Sequence, residues 1–332
     1  MQAQADSLFP LWERPVYTSC ARARHKADVG LRMTAFSGTA AKIGYDQLSA
    51  HEIRYRELAS IEASLNYVAA SSERLRTYAF DPPAGTLQSN AIFEPHRVRI
   101  FDMRPIAPKL SLDREGFALL KKATAVQDFS YEDAVKTVYY PEAEALLRDH
   151  TGADRVVIFD HTVRRRLAGA IDRTSGVPRQ PVLRVHNDYT ENSGPQRVRD
   201  LLGAEAESLL QKRFAIINVW RPLQGPVRDA PLAVCDARSA NPGDFVASDL
   251  IYRDRVGETY VVKYNPNHHW FYTPDMTEDE VWLLKCYDSS RDGTARFVPH
   301  TAFDDPAAPL NIPPRESIEL RALIFYGSNQ KI

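Results

Sequence analysis

From Val156 to the C terminus the chain is a succession of short apolar runs separated by turn formers, which restricts it to a mainly β fold. The runs are Arg155–Asp160, Pro181–His186, Phe214–Trp220, Leu232–Cys235, Glu258–Tyr264, Trp270–Tyr272, Val281–Tyr287 and Arg315–Tyr326, with Phe214–Trp220 the most apolar. Helical patterns come earlier: Gln47–Tyr67, a stretch from Ser130 with a capping-box-like Ser-Tyr-Glu-Asp start, and Pro141–His150. A further helix is expected over Gln196–Arg213. Helices segregated from strands predict an α+β, mainly β class, an antiparallel jelly roll with helices against one face. No strand–helix alternation and no G-x-G-x-x-G is present, which excludes a dinucleotide fold.

Composition narrows the function. The net charge of −1 leaves neither a basic stripe nor an acidic tail, so nucleic acid and membrane surfaces are not expected partners. Cys20, Cys235 and Cys286 are too far apart for a C-x-x-C metal site and odd in number, so no disulfide framework is expected. With no signal-peptide pattern and no bilayer-length apolar run, a cytoplasmic protein acting on a small molecule is expected.

The chemistry concentrates where one of these strands ends. In Arg184-Val185-His186-Asn187-Asp188 an imidazole and a carboxylate stand two positions apart. On a strand that spacing puts both on one face. Joined by a second histidine they form the 2-His-1-carboxylate facial triad of non-haem Fe(II) oxygenases. The third ligand must come from a later strand. His268, His269 and His300 are the candidates, and His300, at another strand end, is preferred. Asp160-His161 is a poor ligand pair, because adjacent strand residues point to opposite faces. The run Arg164-Arg165-Arg166 reads as a solvated face.

The last strand supplies an independent clue. Arg315, Ser317, Glu319 and Arg321 share one face, and Ile318, Leu320, Ala322 and Ile324 share the other. An ionic inner face suits a barrel that holds a small anion. A guanidinium with a hydroxyl beside it pairs with a carboxylate, as the far end of 2-oxoglutarate requires. Tyr189, Trp220, Arg221, Trp270 and Tyr272 are candidates for the substrate wall, with core packing as the competing role.

Seven blocks carry a family resemblance: Tyr139-Tyr140-Pro141-Glu142, Phe159-Asp160-His161-Thr162, Val185–Asp188, Asn218–Leu223, Lys285–Ser289, Pro299–Phe303 and Arg315–Ile318. In this order they resemble the AsaB-type hydroxylase/desaturase family, which includes gibberellin-desaturase-like proteins and the CmcJ component of cephamycin methoxylation. The resemblance covers roughly residues 65–332 and leaves 1–64 as an N-terminal extension, a candidate lid or dimer contact in a candidate homodimer. It implies a double-stranded β-helix with His186, Asp188 and His300 on Fe(II), and 2-oxoglutarate and O₂ as co-substrates. Asp304–Pro314 is longer than the superfamily's usual spacing, so Arg315 and Arg321 both stand as candidates for the 2-oxoglutarate clamp, Arg315 being favoured. The implied activity is hydroxylation, desaturation or oxidative cyclisation of a natural-product-type molecule. The alternatives are a non-catalytic metabolite-binding partner of another tailoring enzyme and a cupin-like metal isomerase or keto-acid-independent dioxygenase.

Overall fold

Strands that are apolar on both faces need cover on both, and this chain provides it with two sheets and a helical layer. The computed structural model describes Tyr55 and residues 57–327, all within one unit spanning Ser49–Ile332. The strands are β1 (Ser60–Val68), β2 (Leu75–Tyr78), β3 (Phe93–Asp102), β4 (Phe117–Lys121), β5 (Arg155–Arg165), β6 (His186–Asn187) and β7 (Phe214–Pro222). They continue as β8 (Leu232–Cys235), β9 (Phe245–Ile251), β10 (Val256–Val262), β11 (Trp270–Tyr272), β12 (Glu280–Asp288), β13 (His300–Ala302) and β14 (Glu316–Phe325). A nine-stranded mixed sheet runs β1-β3-β11-β8-β13-β6-β10-β9-β2, and a five-stranded antiparallel sheet runs β4-β12-β7-β14-β5. The large sheet curls, so that Asn66 of β1 bridges Arg184 just before β6.

Between the sheets lies a core that includes Phe117, Trp220, Val234, Phe271, Trp282 and Leu323. The outer face of the small sheet (Ile217, Val219, Leu283, Ile318, Leu320) is covered by Val135, Tyr139, Ala143 and Leu147. These four come from a continuous helical stretch: α1 (Glu132–Ala134), a π-helical turn (Val135–Tyr139) and α2 (Tyr140–Thr151). A third core, with Leu65, Tyr67, Val185, Cys235 and Trp270, lies on the large sheet's other face. The jelly roll with flanking helices is therefore the observed fold. Among the described residues, no helix is long and apolar enough to cross a membrane.

Several local expectations are corrected. Residues 60–68 form a strand rather than the end of a helix, because Ala63, Leu65 and Tyr67 are buried with period two in register with β3. The part of that expected helix before Tyr55, and with it most of the 1–64 extension, lies outside the described residues. Ser130 does not cap a helix: Tyr131 occupies that position without a side-chain bond. The helix expected over Gln196–Arg213 is broken into α3 (Ser193–Leu202) and α4 (Ala206–Leu210) around Gly203, whose φ is +50°. The strand at 245–251 carries no clear alternation of exposure and has no counterpart among the sequence expectations.

One glycine connects the fold to the site. Gly116 has φ +89°, and a Cβ there would stand 2.3 Å from Val298 Cγ2. Gly116→Ala is therefore expected to destabilise the fold by about 2–4 kcal/mol, measured by urea unfolding, since left-handed strain and overpacking act together.

Candidate metal centre

The short β6 and β13 pair directly, with His300 opposite His186. Antiparallel pairing of two strand-end histidines places both rings on one face, 4.4 Å apart between centroids. Asp188 follows two residues on, and its Oδ1 lies 3.6 Å from His186 Nε2. Ligand atoms of His186, Asp188 and His300 all fall within 4.8 Å of one another.

The hydrogen bonds decide which ring nitrogens are available. His186 Nδ1 lies 2.9 Å from Arg184 O, and His300 Nδ1 lies 2.9 Å from Val298 O. A carbonyl only accepts, so each Nδ1 carries the proton and each Nε2 presents a lone pair. His300 Nε2 is buried and has no hydrogen-bond partner among the described residues. An orphaned buried acceptor is costly, and a cation held with the neighbouring lone pair and carboxylate resolves it. The donor set therefore fits one divalent ion of the facial-triad type. Burial, reinforced by His300, holds the His186 imidazole well below the usual histidine range, so it stays neutral as a ligand must.

Asp188 is held by two further residues. Asn218 Nδ2 donates to its Oδ2 at 2.8 Å, and Arg321 Nε does so at 3.3 Å. Both occupy the same oxygen, which turns Oδ1 towards the imidazoles. Burial alone would raise this carboxyl; the Arg321 guanidinium outweighs it and holds the group well below the carboxylate range. Between His186 and Asp188, the buried Asn187 bonds Tyr189 O, Cys286 O and the Val298 N–H, tying together the approaches to both histidines.

The remaining expected site residues divide cleanly. Arg321 is saturated by Asp188, Asp160 (2.9 Å) and Glu319 (2.7 Å). Arg315 is 4 % exposed; its backbone N–H donates to Asp229 Oδ2 at 2.9 Å, but its guanidinium meets no carboxylate within 4 Å among the described residues. Its Nε donates to Ser317 Oγ at 3.2 Å, its Nη1 to Ala230 O at 2.6 Å, and its guanidinium lies 5.1 Å from the Trp220 ring centre. Tyr189 lines a cavity of about 930 Å³ with His186, Asp188 and Arg321. Arg221, Trp270 and Tyr272 are corrections to the expected substrate wall. Arg221 donates to Glu278 O and Lys122 O on the outer face of β7, and Trp270 and Tyr272 lie in the third core. In each case the neighbouring residue, Trp220 or Phe271, faces the central core instead. His268 and His269 are far from the triad in role: one bonds Tyr67 and Asp244, the other packs against Tyr55.

Residues that sequence reasoning passed over are Asn218, Asp160, Asn187 and Arg164. Asn218 carried a usable signal, a lone amide inside the most apolar strand, where an unpaired polar group is not tolerated. Arg164 overturns the solvated-face reading of 164–166. β5 extends through it, so it turns inward, donates to Gln180 O at 2.9 Å and lines the cavity. Asn218→Ala is expected to weaken divalent-metal binding about 10–100-fold in a metal titration, as loss of an outer partner of a metal ligand usually does, with the far-UV circular dichroism unchanged.

A jelly roll that brings two imidazoles and a carboxylate to one point has the architecture of a non-haem iron oxygenase. Residues 65–325 match the family described as oxidoreductase/YMDC permease-like domain. The hydroxylase/desaturase efuI of Hormonema carpetanum is 36% identical over 272 residues, covering 74% of this chain and 90% of that protein. The Fe(II)/2-oxoglutarate-dependent dioxygenase nvfI of Aspergillus novofumigatus is 35% identical over 257 residues, covering 75% and 90%. A solved structure of the iron and alpha-ketoglutarate-dependent endoperoxidase NvfI superposes with a TM-score of 0.73 at 32% identity, covering 81% of this chain and 98% of that one. The chain belongs to this family of hydroxylases, desaturases and Fe(II)/2-oxoglutarate-dependent dioxygenases.

Proposed function

We propose that His186, Asp188 and His300 hold a ferrous ion, that Arg315 and Ser317 hold the distal carboxylate of 2-oxoglutarate, and that the protein uses O₂ to oxidise a small natural-product-type molecule. The observation that carries this reading is the unpartnered, buried His300 Nε2 beside the His186 imidazole and Asp188 Oδ1. When bound, iron and the keto acid supply the oxidising power to break a C–H bond, with O₂ consumed and 2-oxoglutarate converted to succinate and CO₂.

This chain's own residues set the conditions for that chemistry. The carbonyls of Arg184 and Val298 fix the histidine tautomers, while Asn218 and Arg321 hold Asp188 ionised and aimed. Arg315, immediately before β14, offers an Nη2 with no hydrogen bond among the described residues and a Ser317 hydroxyl beside it. Tyr189 lines the adjoining cavity and presents one wall to the substrate. Hydroxylation, desaturation and ring closure are all compatible with this arrangement. The relatives' own names include hydroxylase, desaturase and endoperoxidase. A purely non-catalytic partner would not need the full ligand set and Arg315 together. Cytoplasmic residence fits the unpaired, buried thiols of Cys235 and Cys286.

The test is anaerobic. Adding 2-oxoglutarate to the Fe(II)-loaded protein is expected to produce a visible charge-transfer band, followed by succinate once O₂ is admitted. A wild-type protein that binds Fe(II) yet shows no band and forms no succinate would overturn the keto-acid reading.

A further inference from the structure

The cavity beside the triad carries more positive charge than iron and 2-oxoglutarate require. Most of its arginines are occupied. Arg321 is taken by three carboxylates, and Arg179 by Asp172 at 2.8 Å. Arg164 donates to Gln180 O and faces Glu319 at 3.7 Å. Arg184 differs. Its guanidinium forms no hydrogen bond and meets no carboxylate within 4 Å among the described residues, although it lines the cavity. Arg184 precedes His186 by two positions in extended chain, so both side chains leave the backbone on the same face.

Arg173 completes the picture from a neighbouring loop. Its backbone has φ +72°, a conformation a non-glycine residue seldom holds without support. Its side chain is 16% exposed, lines the same cavity and reaches Asp172 only at 3.7 Å. Arg197 also lacks a carboxylate within 4 Å among the described residues, but it lies over the Phe159 ring and so already has a face partner.

We propose that the molecule oxidised here carries a carboxylate, and that Arg184, assisted by Arg173, receives it beside the triad. The inference rests on the oxygenase reading above, in which the carboxylates of 2-oxoglutarate have the iron and Arg315 as partners and leave Arg184 free. A planar, enclosed guanidinium selects a carboxylate by its paired oxygens. Val182, Leu250 and Val261 in the same wall give the rest of the substrate an apolar surface. Acidic group and skeleton together define the class: an apolar carboxylic acid, anchored at one end so that a C–H bond elsewhere in it faces the triad.

The probes are two matched pairs, abietic acid with its methyl ester and decanoic acid with its methyl ester. They are titrated calorimetrically into the anaerobic Fe(II)·2-oxoglutarate protein. At least one acid is expected to bind tenfold or more tightly than its ester. Arg184→Gln should erase that preference, Arg184→Lys should keep part of it, and Arg173→Gln should weaken the acid several-fold. The 2-oxoglutarate Kd, read from the charge-transfer band, should stay within twofold in all three. Acids that bind no better than their esters in wild type, with the band intact, overturn the carboxylate clamp and leave the oxygenase reading standing. A tenfold loss of 2-oxoglutarate affinity in Arg184→Gln also overturns it, by giving Arg184 to the keto acid. A wild type that prefers the acid but shows no band keeps the clamp and sinks the oxygenase reading.

Discussion

Replacing His300 with leucine is expected to abolish tight Fe(II) binding and 2-oxoglutarate turnover while leaving the metal-free protein as stable as wild type or more so. The two effects have opposite signs for one reason. In the metal-free protein the His300 imidazole is 2 % exposed, and its Nε2 has no hydrogen-bond partner among the described residues. That nitrogen was desolvated on folding without compensation, at a cost of about 1–3 kcal/mol. Leucine fills similar volume and removes the cost, although it also loses the Nδ1 bond to Val298 O, worth about 1 kcal/mol. With one of the three proposed ligands gone, metal binding should weaken by more than the 10–100-fold typical of an outer partner. Linkage makes this visible in unfolding. Fe(II) at about a hundred times its Kd should stabilise wild type by about 2.7 kcal/mol and the variant by almost nothing. Anaerobic thermal unfolding with and without Fe(II) measures both signs at once. A His300→Leu protein that iron still stabilises as strongly as wild type would remove this residue from the ligand set.

What could be read from the sequence follows from what strand geometry alone controls. His186 and Asp188 were legible because a spacing of two on a strand puts them on one face, whatever the rest of the chain does. The same alternation separated Arg315, Ser317, Glu319 and Arg321 from Ile318, Leu320, Ala322 and Ile324, and the structure keeps that division between the interior and the helix-covered face. Alternation does not say which face looks inward. Both faces of the sheets are covered, so Trp270 and Tyr272 satisfy burial as well in the third core as they would beside the metal. Arg221 went wrong in the same way, one position from Trp220. Residues whose role depends on strand partners far along the chain were hidden for a different reason. Asp160 reaches Arg321 across a β5–β14 pairing with an irregular register beside it, and Asn218 reaches Asp188 across the space between the sheets. The strand at 60–68 was misread because Leu58, Ile61 and Leu65 also fit a helical period, and only pairing with β3 decides between the two.

Arg315→Met is expected to raise the KM for 2-oxoglutarate about a hundredfold and leave Fe(II) affinity within about threefold of wild type. Losing a charge-assisted, two-pronged contact in an enclosed site costs about 2–3 kcal/mol, and each 1.4 kcal/mol is tenfold. The contrast between Arg315 and Arg321 makes the assignment testable. Arg321 has Asp188, Asp160 and Glu319 around it and has little capacity left for a ligand. Among the described residues the Arg315 guanidinium has a hydroxyl, a carbonyl and the face of Trp220, and no carboxylate within 4 Å. Burial, with Arg164 adding to it, presses its pKa down to about 9. Arg321→Met should therefore fail first in iron binding, because it frees Asp188, whereas Arg315→Met should fail first in keto-acid binding. Arg315→Lys keeps the charge and loses the fork, so its KM should fall between wild type and Met. Steady-state succinate formation against 2-oxoglutarate concentration, paired with a metal titration of each variant, separates the cases. Should Arg315→Met bind 2-oxoglutarate normally while Arg321→Met does not, the clamp belongs to Arg321, and the longer Asp304–Pro314 segment has shifted the co-substrate along the strand.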